Sequence, residues 1–264
     1  KSDGTLIDLS DVGTVNGGFV IKGATTYDYS GRSVSSAGDV NGDGLADLIV
    51  GAPQNGGSAT GKSYVVYGTT GTPSINLANV ASGVGGFVIT GQCAADWSGF
   101  TTSNAGDVNG DGLADLLIGS YGRTNATNTT FPGSSYVVFG GSQSPNTLQL
   151  SELTVVGNTR GFVINGASSG EMSGATVTGG GDINGDGLSD ILVGDGSGNN
   201  NYVIFGSTRS IGQVNLAALG TNGFKFTSTS AIHEPSVVGD VNGDGYEDML
   251  FNNSSNWFCR FESF

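Results

Sequence analysis

The chain is poor in the residues on which most familiar chemistries depend. Two cysteines and one histidine in 264 residues exclude both a disulfide-stapled scaffold and a zinc site built from Cys and His. Cys93 and Cys259 fall in non-equivalent stretches and are expected to be free thiols. Only nine Lys and Arg stand against 23 Asp and Glu, a formal charge of −14. That balance argues against nucleic acid and anionic membrane surfaces as partners, since both require clustered basic residues. No apolar run of about 18 residues occurs, so no membrane-spanning helix is expected. Lys1-Ser-Asp-Gly carries no signal-peptide pattern, and the missing initiator Met is read as a processed secreted form or a trimmed chain. Helical periodicity is scarce as well.

What the chain has instead is glycine, 48 of them, and short apolar runs rich in Val, Ile, Tyr and Phe bounded by Gly, Asn, Asp and Ser. That is the signature of strands and tight turns in an all-β protein. Within this background one acidic nonapeptide, Asp-(Val/Ile)-Asn-Gly-Asp-Gly-x-x-Asp, recurs at Asp39, Asp107, Asp182 and Asp240, at intervals of 68, 75 and 58 residues. Each copy is followed by an apolar run (47–50, 115–118, 190–193, 248–251) and then by an aromatic strand beginning at Tyr64, Tyr136, Tyr202 or Trp257. A Gly-Phe-Val-Ile-x-Gly element stands at Gly18, Gly86 and Gly161, with a weaker version at Gly223. Four elements per unit, at intervals too long for a simple solenoid turn, suit the four-stranded blades of a propeller. The apolar runs after each nonapeptide have no polar alternation, so both of their faces should be covered by neighbouring sheets.

Three carboxylates and an amide oxygen crowded around two glycines gain nothing in folding unless a hard cation neutralises them. Oxygen ligands at alternate positions converge when the backbone coils around Ca²⁺, which accepts about six to eight of them. The expected ligands are Asp39, Asn41, Asp43, the Leu45 carbonyl and Asp47; Asp107, Asn109, Asp111, the Leu113 carbonyl and Asp115; Asp182, Asn184, Asp186, the Leu188 carbonyl and Asp190; and Asp240, Asn242, Asp244, the Tyr246 carbonyl and Asp248. Four bound Ca²⁺ ions would bring the net charge from −14 to about −6. An EF-hand would need an acid at loop position twelve, where Val50, Ile118, Val193 and Phe251 stand. Plain turn chemistry explains one such loop, but not four copies that keep all five ligand positions. Zn²⁺ lacks its ligands here, and Mg²⁺ is less suited to a cage made of protein oxygens.

The run from Asp39 to Pro53, Asp-Val-Asn-Gly-Asp-Gly-Leu-Ala-Asp-Leu-Ile-Val-Gly-Ala-Pro, resembles the FG-GAP repeat of integrin α-subunit propellers and their bacterial relatives. The Gly-Ala-Pro ending is kept in the first copy alone. The resemblance implies that the loop joins an innermost strand A (31–38, 99–106, 174–181, 236–239) to strand B. The aromatic run is then C, and the Gly-Phe-Val-Ile element is D. The last repeat ends after C, while residues 18–23 form a D element with no parent blade. Even Leu6-Ile-Asp-Leu9 parallels Ile75-Asn-Leu77, Leu148-Gln-Leu150 and Val214-Asn-Leu216, all between C and D. The expected fold is therefore one β-propeller of four four-stranded antiparallel blades, closed by the N-terminal strand. Its blades span about 30–91, 98–166, 173–227, and 236–264 with 1–23. Integrin propellers usually have seven.

On this scheme the metal loops and the variable B-to-C loops lie on opposite faces. The B-to-C loops, one of which contains Tyr121, Arg123 and Phe131, then offer a binding surface on a fixed scaffold. The D-to-A loops repeat an acid beside a bulky group at Tyr27-Asp28-Tyr29, Asp96-Trp97, Glu171-Met172 and His233-Glu234. These acids either ring a pocket or accept hydrogen bonds from the following backbone. No catalytic constellation is evident, since a Ser/His/Asp triad would depend wholly on His233. Asn125, Asn128, Asn252 and Asn253 begin glycosylation sequons. The expected function is a secreted or cell-surface, calcium-stabilised adhesion or interaction module that binds a protein or carbohydrate partner. Two alternatives stay open: a lectin-like binder using Tyr27, Tyr29, Trp97 and Tyr121, and a hydrolase scaffold.

Overall fold

The structure, a computed structural model, describes residues 12, 18–54, 60–71, 74–122, 131–141, 146–209, 212–228, 232–252 and 257–260. The Leu6–Leu9 segment, the B-to-C loop residues 123–130 with Arg123, and the sequons at Asn125, Asn128 and Asn253 lie outside them.

Three sheets repeat one antiparallel meander. The first contains β2 (Ser33–Gly38), β3 (Asp47–Ala52), β4 (Lys62–Val66) and β6 (Gly86–Thr90). The second contains β7 (Thr101–Gly106), β8 (Asp115–Ser120), β9 (Ser134–Val138) and β11 (Gly161–Asn165). The third contains β12 (Thr176–Gly181), β13 (Asp190–Gly194), β14 (Asn200–Ile204) and β16 (Gly223–Thr227). A fourth has three strands: β17 (His233–Val237), β18 (Met249–Asn252) and β19 (Trp257–Arg260). The A, B, C and D elements read from the repeats are these strands in order. Strand A of the last repeat begins at His233, three residues earlier than expected, so Glu234 stands on a strand and is not a loop acid.

The blades are not purely antiparallel. Short strands between C and D, β5 (Ile75–Asn76), β10 (Thr147–Gln149) and β15 (Gln213–Asn215), leave their own sheet and pair in parallel with the D strand before them in the chain. Thus β10 extends the first sheet beyond β6, β15 extends the second beyond β11, and β5 pairs with β1 (Ile21–Lys22). Each is followed by a short helical turn capped locally; the side chains of Asn76 and Asn215 accept from the N–H two residues on.

The core lies between the sheets, as consecutive apolar positions require. Ile49, Val65 and Phe87 of the first sheet meet Leu116, Ile118 and Val138 of the second. Leu117, Val137 and Phe162 then meet Ile191, Tyr202 and Ile204 of the third, and Leu192 and Val203 meet Met249 and Phe251 of the fourth. The inner strands β2, β7, β12 and β17 pack one against the next, with no comparable packing of β17 on β2 among the described residues.

The two ends of this series show what each sheet expects of a neighbour. Val34 on β2 is 58% exposed, while its counterparts Thr102 and Val177 are 7% and 8% exposed. Val241, in the last A-to-B loop, is 61% exposed, although its counterparts Val40, Val108 and Ile183 are at most 2% exposed. Among the described residues β19 has no strand partner beyond β18.

Burial between sheets sets the expected cost of truncation. Ile118→Ala, at a fully buried inter-sheet position, should lower unfolding free energy by ~2–5 kcal/mol. Val156→Ala, at a fully exposed one, should change it by less than ~0.5 kcal/mol. Denaturant titration of the two variants checks both.

Candidate metal centres and the opposite face

In the first three sheets the A-to-B hairpin enters its loop through a register shift. It lies between Ser36 and Gly38 in the first sheet, Asn104 and Gly106 in the second, and Gly179 and Gly181 in the third. Such a bulge bends the inner strand and re-aims the loop that leaves it. The chain then coils tightly. The Asp39 carboxylate accepts the N–H groups of Gly42 (2.8 Å), Asp43 (3.1 Å) and Gly44 (2.8 Å). Asn41 accepts from Asp43 N–H at 2.9 Å and donates its amide to Asp43 Oδ2 at 3.0 Å, while Asp43 Oδ1 accepts from Leu45 N–H at 2.8 Å. The same network recurs around Asp107, Asp182 and Asp240.

Gly42 is required twice over. Its φ is +79°, in the region that favours glycine. A Cβ there would also sit 3.3 Å from the Leu113 side chain of the next loop, and at Gly185 the corresponding contact is Tyr246 at 2.5 Å. The seventh loop residue thus leans its side chain on the preceding loop, a role that its expected carbonyl ligation did not suggest.

The ninth-position aspartate behaves differently from the rest. Asp47, Asp115, Asp190 and Asp248 are buried. Asp47 accepts the N–H of Val40 at 3.0 Å and of Gly68 at 2.7 Å, tying its own loop to the end of strand C. Asp115 does the same with Val108 and Gly140, and Asp190 with Ile183 and Gly206. Burial pushes the Asp115 and Asp190 carboxyls up to about 7 despite these hydrogen bonds, and the neighbouring Asp111 and Asp107 charges push Asp115 further in the same direction. By contrast the Gly44 N–H, with those of Gly42 and Asp43, holds the exposed Asp39 carboxyl below its ordinary value. Among the described residues no ion pair reaches the loops. A buried carboxylate flanked by two more, with no basic partner, is the electrostatic arrangement that a divalent cation relieves.

Among the described residues, no three His, Cys, Asp or Glu side chains are gathered as a metal cage. The loop oxygens are turned to their own N–H groups. The donor set of Asp, Asn, Asp and Asp oxygens nevertheless fits a hard cation, and Ca²⁺ in particular.

The metal loops also carry the junctions between sheets. Asp39 C=O accepts from Ala114 N–H at 3.1 Å, Asp107 C=O from Ser189 N–H at 2.9 Å and Asp182 C=O from Glu247 N–H at 3.1 Å. Val40 and Val108 carbonyls accept from Gly141 and Ser207 at 2.7 and 2.8 Å. On the other face, B-to-C and D-to-A loops meet: Gln54 donates to Asp28 C=O, Gly122 to Asp96 C=O and Gly196 to Glu171 C=O, at 3.0–3.2 Å.

The D-to-A acids are spent on backbone there. Asp28 accepts the N–H of Ala24, Thr25 and Ser30; Asp96 those of Gln92, Cys93 and Ser98. Glu171 takes the Ser168 N–H and the Tyr202 hydroxyl. The bulky residues beside them stay in a costly conformation: Tyr27, Tyr29, Trp97 and Met172 have φ between 55° and 64°. Trp97 packs with Phe100 and Tyr121, ring centroids 4.5–6.0 Å apart across the three pairs, and the Arg32 guanidinium lies 4.1 Å from the centre of the Phe100 ring. Arg32 and Phe100 each stand seven residues before the first loop Asp, a phase that would have singled them out in the sequence.

The FG-GAP repeat family matches residues 30–66 and 99–138, and an FG-GAP-like repeat family matches 182–251. The chain belongs to the FG-GAP repeat family. Among its relatives, integrin alpha-PS2 of Drosophila melanogaster is 31% identical over 63% of this chain and 10% of its own length. Integrin alpha pat-2 of Caenorhabditis elegans is 34% identical over 36% of this chain and 8% of its own. Phosphatidylinositol-glycan-specific phospholipase D of Mus musculus is 34% identical over 43% and 14%. The chain spans about a tenth of the length of the curated relatives it matches. It is an integrin-like FG-GAP repeat protein, all-β with the repeats of a propeller.

Asp96 offers a check on the capping role. Burial pushes its carboxyl up to about 6, against the N–H groups of Cys93, Ser98 and Gln92. An acid raised in the folded state binds a proton on folding. Its contribution is full below the ordinary value of 3.8 and is lost as pH rises through about 6. Relative to Asp96→Asn in saturating calcium, the parent should lose about 1–2 kcal/mol between about pH 4.5 and 7.5. Urea denaturation at both pH values measures it.

Proposed function

We propose that this FG-GAP protein is a secreted or cell-surface, calcium-stabilised adhesion or interaction module. It binds a protein or glycan partner through the face opposite its metal loops and is not itself an enzyme. The observation that carries the reading is the fourfold acidic loop whose buried ninth aspartate has no basic partner among the described residues. Asp39, Asn41, Asp43, Asp47 and the Leu45 carbonyl would hold the first ion, and their equivalents the other three. A bound ion would supply positive charge to a loop whose Asp, Asn and carbonyl oxygens can together complete its coordination, a structural role. The integrin relatives favour a protein partner, and the acidic charge disfavours nucleic acid. The Trp97, Phe100 and Tyr121 cluster favours a glycan as the second reading. Against hydrolysis, the chain has one histidine, and the acids of three D-to-A loops cap backbone; the phospholipase D relative is matched over 14% of its length.

We also propose that the four blades form a closed ring, with the N-terminal segment completing the last one. Two features support closure. β1 pairs with β5 as β6 pairs with β10, the relation of a D strand to the next blade. The exposed Val34 and Val241 edges are the two halves of a junction that occurs three times elsewhere.

Calcium should raise the melting temperature with concentration, adding ~2.7 kcal/mol of unfolding free energy per site at a hundredfold excess over Kd, and calorimetric titration should find four sites. A melt unmoved by chelator would refute the structural ion. Asp43→Ala with Asp47→Ala should lower the melt and leave partner binding on the other face intact once calcium is saturating. For closure, Thr69→Cys with Val241→Cys, in a background of Cys93→Ser and Cys259→Ser, should oxidise to a faster-migrating monomer on a non-reducing gel. A dimer band, or no disulfide at all, overturns the four-blade ring.

A further inference from the structure

Where the inner strands converge, a cavity of about 530 Å³ opens, lined from all four sheets by Arg32, Phe100, Thr101, Thr176, Thr178 and Ser236 among others. Its size is that of a small-ligand pocket. Its walls mix hydroxyls with apolar groups, Ala175, Val177 and Pro235 among them; Thr101 and Thr178 hydroxyls donate to Gly174 and Pro235 carbonyls and so tie the wall across two blade junctions. The charge inside is opposite to the charge of the chain. In a protein with 23 acids and nine bases, the exposed Arg32 guanidinium forms no ion pair among the described residues and rests on the Phe100 ring at 4.1 Å. A ring fixes the plane of the fork while leaving its N–H edge to accept a partner. The carboxylates of the adjoining D-to-A loops, Asp28 and Asp96, are turned to backbone N–H groups, and the acidic loops lie on the far side of the blades.

We infer that this central cavity is a binding site for the carboxylate of an acidic saccharide, with Arg32 as the anion anchor. The guanidinium matches a carboxylate bidentately. The threonine and serine walls suit sugar hydroxyls, and Phe100, the member of the aromatic cluster that lines the cavity, supplies an apolar contact for a sugar ring. Tyr27, 81% exposed with φ of +64°, stands where the equivalent residue of the third repeat is Gly170 with φ of +83°. An exposed aromatic kept where glycine serves suggests a contact made outside the fold. The inference rests on the reading of the calcium-free face as the ligand-binding one.

The test is equilibrium binding, in saturating calcium, of galacturonate disaccharide, the neutral galactose disaccharide and a short Asp-rich peptide. The acidic sugar should bind at least about tenfold tighter than the neutral one. Arg32→Gln should weaken it by about tenfold or more and Arg32→Lys by less, at unchanged melting temperature. Equal binding of acidic and neutral sugars, or full retention by Arg32→Gln, overturns the assignment of the cavity while leaving the face itself as the binding surface. Preference for the peptide over the acidic sugar overturns the saccharide class. Calcium-dependent melting is unaffected by any of these outcomes, so a failure here is separable from a failure of the metal reading.

Discussion

The structure turns on one buried carboxylate per repeat. Asp47, Asp115 and Asp190 each bridge the second residue of the acidic loop to the glycine that ends strand C. Two N–H groups are good company for a carboxylate, but they do not offset burial beside two further acids. The loop is therefore held in tension between hydrogen bonding that fixes its shape and repulsion that opposes it. A cation at the loop would remove the repulsion.

That local balance reaches across the molecule because the same loop is the contact between blades. The first loop residue offers its carbonyl to the following repeat, the second buries its valine or isoleucine there, and the fourth is a glycine over which the next loop's Leu or Tyr lies. The residues that crowd charge into the loop and those that seat the neighbouring sheet are thus consecutive in one segment. The face with the B-to-C and D-to-A loops is separated from it by the length of the strands, which leaves its residues free to differ between repeats. Trp97, Phe100 and Tyr121 gather around the second repeat, while Arg32 and Tyr27 belong to the first.

The repeats make most of this legible. Five loop positions recurring with a fixed spacing, and Val-, Ile- and Tyr-rich runs between them, identify strands, their order and their covered faces, because alternation and its absence are direct records of burial. The parallel strands β5, β10 and β15 are less legible. Leu148-Gln-Leu150 reads as a strand, but a three-residue pattern does not reveal its direction or which sheet it joins. Local likeness to Glu171-Met172 places His233 and Glu234 in a loop, although counting back from Asp240 puts Glu234 in phase with Ser33, the first residue of β2. The same count brings Arg32 to Phe100; a site shared among four repeats is visible only when each is read in the frame of the others.

The parallel strands have a consequence for how the chain is made. Val88 of β6 waits for Thr147, 59 residues further on, to cover it, and Val163 of β11 waits for Gln213, 50 residues on. At translation speeds of ~5–20 residues per second, each newly finished sheet spends ~3–12 s with a bare hydrogen-bonding margin. The nascent protein therefore always has one sticky border, which moves along the chain as synthesis proceeds. Any pause falling between repeats would lengthen the interval in which chaperones, or a neighbouring nascent chain, can reach it.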